Sequence, residues 1–103
     1  MIQGTTPVLH FNLPFSASLI KSAEITLQYT DSHKNVLIVK TLEDCELGET
    51  SIATKLTQEE TLQLPAPAVA YAQLRILTTS NDALATELYK ISVKRLLREG
   101  VIE

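Results

Sequence analysis

Val69-Ala70-Tyr71-Ala72-Gln73-Leu74-Arg75-Ile76-Leu77 alternates with a period of two. Ala70, Ala72, Leu74 and Ile76 fall on one side, and Tyr71, Gln73 and Arg75 on the other. Successive side chains of a β-strand point to opposite faces, so the spacing predicts a strand with an apolar face toward a core and a polar face toward water. The same rhythm recurs at residues 8–13, 23–29, 36–41, 51–56 and 83–93. Polar clusters such as Asp31-Ser32-His33-Lys34-Asn35 and Thr78-Thr79-Ser80-Asn81-Asp82 separate the runs, and their side chains suit turn backbones. Half-buried alternation punctuated in this way builds antiparallel sheets.

Parity assigns the inward positions. Leu9, Phe11 and Leu13 share a face of the first run; Ala23, Ile25, Leu27 and Tyr29 share one of the second; Ile52, Thr54 and Leu56 share one of the run at 51–56. The run Val36-Leu37-Ile38-Val39 is continuously apolar, which predicts a central strand covered on both faces. Residues 42–49 read as an acidic loop closed by Gly48. Thr57 followed three residues later by Glu60 matches a capping box, and Pro65 and Pro67 limit the helix it starts to about one turn. Val93, Leu96 and Leu97 have helical spacing, Gly100 stands where a helix would end, and Lys94, Arg95 and Arg98 suit the negative end of such a helix. The expectation is an all-β fold: an Ig-like antiparallel β-sandwich of six or seven strands, with a helical turn near 57–62 and a short C-terminal helical segment. Tyr71 falls near the place of a tyrosine-corner residue but points outward by parity.

At 103 residues the chain is one domain, 1–103, with enough length for one core. Residues 1–7 carry neither a basic leader nor an apolar h-region, and no apolar run reaches the roughly 18 residues of a bilayer span. The expectation is a protein made in the cytoplasm, with no membrane partner. A net charge of −3 argues against nucleic acid as the main partner, because phosphate neutralisation dominates that affinity. Cys45 is the single cysteine, so no internal disulfide forms. It reads as a small buried apolar side chain whose acidic neighbours Glu43, Asp44 and Glu46 raise its pKa.

Groups able to do chemistry are scattered. His10 lies on the polar side of a strand and His33 in a turn, neither with a second ligand at zinc spacing. Gly4, Gly48 and Gly100 are too dispersed for a phosphate-binding loop. Glu43, Asp44, Glu46 and Glu49 lack the alternating ligand pattern of a calcium loop. The pair Glu59–Glu60 is better explained by a helix N-terminus than by glycosidase chemistry, and Lys94, Arg95 and Arg98 have no interleaved aromatic residue for stacking bases. No catalytic, cofactor-binding or metal-ligating residues are assigned, no cofactor is expected, and the chain is not read as an enzyme. Tyr71 and Tyr89 make a sparse platform for a sugar, since there is no tryptophan.

Gly4-Thr5-Thr6-Pro7, Leu13-Pro14-Phe15, the segment Leu56-Thr57-Gln58-Glu59-Glu60-Thr61-Leu62, Gln73-Leu74-Arg75 and Gly100-Val101-Ile102 together resemble a set of small proteins encoded by phages and prophages of gut Firmicutes. The resemblance spans nearly the whole chain and rests on structural rather than catalytic motifs. It implies a virion component: a non-enzymatic structural protein (capsid decoration, head-fibre base or tail/baseplate adaptor) contacting other virion proteins as a homo-oligomer on a symmetric lattice. A host-surface or glycan-binding module carried on the particle is the alternative. Apolar residues outside the expected core, Ile2, Val101 and Ile102, together with Tyr71, are the candidate docking positions. On this reading residues 1–6 serve assembly, and the domain keeps its fold without them.

Overall fold

Alternation of buried and exposed side chains holds through most of the chain. The computed structural model describes residues 1–98 and 100–103. Among them are eight strands: β1 (Val8–Asn12), β2 (Ile20–Thr30), β3 (Asn35–Thr41), β4 (Cys45–Leu47), β5 (Ser51–Lys55), β6 (Ala68–Thr78), β7 (Ala83–Ala85) and β8 (Tyr89–Val93). A single-turn helix, α1 (Gln58–Leu62), lies between β5 and β6. One sheet has the order β1-β5-β4; the other runs β3-β2-β6, with β7 and β8 both paired to the far edge of β6. Every pairing between these strands is antiparallel.

The sheets face each other across one core. Phe11 and Leu13 from β1 and its exit, with Ile52 from β5, pack against Ala23 and Ile25 of β2 and Leu74 and Ile76 of β6. A second cluster joins Leu27, Val36, Ile38, Ala70, Ala72 and Val93 of the larger sheet to Leu56 and Leu64. Complete burial of a side chain such as Ile25, Leu27, Ile52 or Leu74 contributes about 1.5–3 kcal/mol. The connectivity is immunoglobulin-like: β1, β5 and β4 take the places of strands B, E and D, while β3, β2, β6 and the β7–β8 line take C′, C, F and G. Among the described residues no full strand A lies at the edge of β1. In its place Ile2 makes a parallel bridge to Lys94 beyond the end of β8.

The strand count exceeds the expected six or seven for two reasons. First, part of the acidic segment at 42–49 forms β4 beside β5, after a 3-10 turn at Leu42–Asp44 held by a second capping box, Thr41 with Asp44. Second, the expected final strand at 83–93 is split. Thr86 bridges the gap: its N–H donates to the Leu74 carbonyl, its hydroxyl accepts from the Leu74 N–H at 3.1 Å, and its carbonyl accepts from the Gln73 side chain. The line along β6 therefore continues although the strand does not.

Two further expectations are corrected. β3 is an edge strand, not a central one: Val36 and Ile38 face the core, and Leu37 and Val39 face out. The expected C-terminal helical segment is absent among the described residues. Val93 is drawn into β8 opposite Ala68, Lys94 is held by Ile2, and Leu97 is fully exposed. The part of that expectation falling on Glu99 lies outside the described residues.

α1 forms as the sequence predicts. The Thr57 hydroxyl accepts from the Glu60 N–H at 3.1 Å, and the Glu60 carboxylate accepts from the Thr57 N–H at 2.8 Å. The same carboxylate meets the Lys40 ammonium at 2.8 Å, tying β3 to the corner before β6. Tyr71 faces outward, so no tyrosine corner forms there. The N-terminal segment secures that corner instead. Thr61, fully buried, donates to the Thr5 carbonyl. Gln3, only 5% exposed, donates its side-chain amide to the Leu64 carbonyl at 2.8 Å. Gly4 has φ +70°, and a side chain there would collide with Leu96 at 2.6 Å, so the turn out of this segment requires glycine. Residues 1–6 are thus part of the fold. The expectation that the domain keeps its fold without them conflicts with these bonds.

Two consequences can be measured. Gln3→Ala strands the buried Leu64 carbonyl and is expected to lower stability by about 1–3 kcal/mol, read from the urea midpoint. Burial pushes the Glu60 carboxyl up, but the Lys40 ammonium and the Thr57 N–H and hydroxyl outweigh it and hold the pKa below its ordinary value. A depressed carboxylate stabilises the fold above its unfolded pKa, about 4.3, and that stability is lost as pH falls through the lower folded value. Glu60→Gln is therefore expected to reduce Tm at pH 7, with the difference from the native chain shrinking toward zero in strong acid.

Candidate interaction surface

The register of the larger sheet sets out what its outer face presents. Tyr71 of β6 lies opposite Gln28 of β2 on one side and Lys90 of β8 on the other, and Gln28 lies opposite Leu37 of β3. The next row runs Val39, Thr26, Gln73, and the next Thr41, Glu24, Arg75, Ala85. Two apolar ridges result. Leu37 and Val39 on β3 are 55% and 43% exposed; Val69 and Tyr71 on β6 are 45% and 41% exposed. Between them β2 contributes a polar rib of Thr26 and Gln28. The ridges stand two strand spacings apart, about 10 Å.

The β2–β3 hairpin positions the first ridge. The Asp31 N–H donates to the Lys34 carbonyl, and the Asp31 carboxylate accepts from the N–H groups of His33 and Lys34 at 2.7 and 2.6 Å and from the Tyr29 hydroxyl at 2.6 Å. The Tyr29 hydroxyl, then the two N–H groups, hold the Asp31 carboxyl below the usual range, and the same hydrogen bond raises the Tyr29 pKa. With the turn fixed, Val36 must pair with Tyr29 and Ile38 with Leu27. Leu37 and Val39 then have no course but outward. The continuous apolar run Val36–Val39 hides them in the sequence. Parity becomes informative once the turn sets the register: with Leu27 and Tyr29 inward, their partners Ile38 and Val36 point inward too.

The expected docking residues do not form one patch. Ile2 is half exposed beside Lys94, and Ile102 projects outward while its backbone exchanges two hydrogen bonds with the Gln58 side chain at 3.0 and 2.7 Å. With Gly4 against Leu62 and Leu96, both termini gather at the α1 end. Val101 is exposed there too. Tyr71 stands apart, in the second ridge.

Elsewhere the surface is shallow. An open groove of about 430 Å³ follows the seam between β1 and β8, lined by Val8, Leu9, Phe11, Ala72, Tyr89 and Ile91. The Phe11 and Tyr89 rings, centroids 5.6 Å apart, close its floor. His10 borders that groove, whereas His33 sits at the hairpin tip, so the two histidines are not brought together. Cys45 is half-buried against the core and donates its thiol to the Thr41 carbonyl; burial first, then the Asp44 charge, raises its pKa. That makes it a weak nucleophile at neutral pH. Among the described residues no three His, Cys, Asp or Glu side chains cluster as metal ligands, and no helix is long and apolar enough to cross a membrane. The arrangement offers contact area and strand edges.

Because the Asp31 carboxylate organises the hairpin tip, Asp31→Ala is expected to speed amide exchange at His33 and Lys34 several-fold. The same loosening is expected in the native chain as pH falls through the depressed Asp31 pKa, since a lowered carboxylate stabilises only while ionised. No protein-family model matches the chain, and no curated protein matches it at a significant level.

Proposed function

We propose that this chain is a non-enzymatic structural protein of a phage particle, a capsid decoration, head-fibre base or tail/baseplate adaptor, that works by docking against other virion proteins. The observation that carries the reading is the outer face of the larger sheet, where Leu37, Val39, Val69 and Tyr71 form two exposed apolar ridges, the first of them on the open edge strand β3. Scattered apolar side chains are ordinary on a protein surface, but ridges aligned on one rigid sheet mark a contact face. The phage-protein resemblance of the cap, turn and strand-edge segments supplies the setting. Each copy makes a modest contact, and a symmetric lattice multiplies many such contacts into firm attachment. The chain is made in the bacterial host and acts in the virion.

A second reading, a glycan-binding module on the particle, is favoured by one feature. The Tyr71 ring is flanked in register by Gln28 and Lys90, an aromatic platform with hydrogen-bonding neighbours of the kind that stacks a sugar ring.

Quantitative mass spectrometry of purified particles separates these outcomes from failure. The structural role requires a copy number matching a symmetry-related set of sites, with Val69→Ser lowering incorporation while the soluble domain stays folded. Absence from particles would rule the role out. Glycan-array binding abolished by Tyr71→Ala, with incorporation intact, would transfer the function to the second reading.

A further inference from the structure

We propose that β3 pairs edge to edge with β3 of a second copy, in antiparallel register about a two-fold axis, so that two large sheets become one continuous sheet. This rests on the docking role above but commits to an occupant and a geometry.

The free groups on β3 specify what can bind. The hairpin closes with the Asp31 N–H on the Lys34 carbonyl, and hydrogen-bonded and non-bonded pairs alternate along an antiparallel ladder. Val36, Ile38 and Lys40 therefore exchange their main-chain bonds with β2. The N–H and C=O groups of Asn35, Leu37 and Val39 point away from the sheet, at the edge where no strand lies. Such a row is satisfied fully only by another extended strand. The devices that usually guard an edge are missing from residues 35–39: there is no proline, no charge and no register shift in the pairing with β2. Lys40, which would otherwise be a guard, is turned to Glu60.

The same strand is complementary to itself in one register. Centred on Ile38, Leu37 lies opposite Val39 of the second copy and Val39 opposite its Leu37, giving about four main-chain hydrogen bonds and two apolar cross-strand pairs on the outer face. Shifting the centre to Leu37 engages all three free residues but sets the polar Asn35 opposite Val39 of the other copy on both sides, which replaces two apolar cross-strand pairs with mismatched ones. Shifting it to Val39 calls on the Thr41 N–H, which already donates to the Asp44 carboxylate. Apolar side-chain matching thus selects the Ile38-centred pairing over the Leu37-centred one, and the engaged Thr41 N–H selects it over the Val39-centred one. A strand pair this short buries less than the roughly 1,200 Å² of a standard interface, so the dimer is weak alone, with a dissociation constant on the order of tens of micromolar, and reinforced when copies are held on a lattice.

Sedimentation of the whole chain from about 5 to about 500 µM reads this directly. The expected result is a mass rising from 11.4 kDa toward twice that value. Val39→Lys is expected to weaken association at least about tenfold. Val39→Pro removes an outward N–H without touching the β2 ladder and is expected to do the same. Circular dichroism and Tm check that both variants are folded. In a Cys45→Ser background, mixing Leu37→Cys with Val39→Cys chains is expected to give a crossed disulfide faster than either alone, because those positions face each other. A native chain that stays monomeric throughout, or a dimer that survives in both Val39 variants, overturns the pairing. Dimers lost in Tyr71→Ala but kept in Val39→Lys would place the contact on the sheet face and likewise overturn it. A monomer still found in particles overturns the self-pairing while leaving the docking role standing.

Discussion

The pairing of β2 with β6 is the constraint on which the rest depends. Ser22 to Gln28 lie opposite Leu77 to Tyr71 in unbroken register, with the single irregularity between Ile20 and Ser22. A one-residue slip would turn Ile25, Leu27, Ala72 and Leu74 to water and bring Glu24, Tyr71 and Arg75 inward. Losing even a few of those buried side chains, at about 1.5–3 kcal/mol each, approaches the whole stability of a domain this size, which is of order 5–15 kcal/mol. Once that register is set, β3 is placed by the hairpin on one flank and the β7–β8 line by Thr86 on the other. The smaller sheet then has one available surface to cover.

What the two-sheet core does not supply is closure at its ends. With no full strand A on the edge of β1 among the described residues, the sandwich relies on polar ties at the α1 end. The Gln3 side chain reaches Leu64, Thr61 reaches Thr5, and Gln58 clasps the Ile102 backbone. Each joins segments far apart in sequence, and each satisfies a backbone group that the strand ladders do not. Polar bonds add little net energy when made, and the buried ones, at Gln3 and Thr61, cost more when one partner is lost. They fix where the chain ends run instead of driving collapse, and they keep both termini away from the outer sheet face.

The strands at β1, β2, β5 and β6 were legible because one face of each is covered and the other wet, so hydrophobicity itself alternates. The capping box at Thr57 and Glu60 was legible for a local reason: its two hydrogen bonds join residues three apart. β3 was not, because its apolar run has the same composition whether its second face is covered or bare; only the register imposed by the Asp31 turn separates the two. The expected C-terminal helix rested on the spacing of Val93, Leu96 and Leu97. One or two turns of helix are marginal without packing, and pairing with Ala68 and Ile2 offered Val93 and Lys94 a better-satisfied alternative. Ile2, Val101 and Ile102 are candidate docking positions by sequence because they are apolar and lie outside the expected core elements at both chain ends. The backbones of Ile2 and Ile102 are engaged by their own domain, at Lys94 and at Gln58.

An edge strand that is both apolar and unguarded is a hazard for a chain that works alone, since it invites uncontrolled strand addition. The Lys40–Glu60 contact sharpens the point. The cation best placed to repel an incoming strand is spent on anchoring β3 to α1, which stiffens the edge while leaving it open. A stiff, preformed strand loses less conformational entropy on pairing than a loose one. Restricting the free groups to Asn35, Leu37 and Val39, with the Thr41 N–H already taken by Asp44, also keeps the pairing short. Such an edge suits a subunit that must associate reversibly before its neighbours hold it, because each added contact then decides between a bound and a free copy.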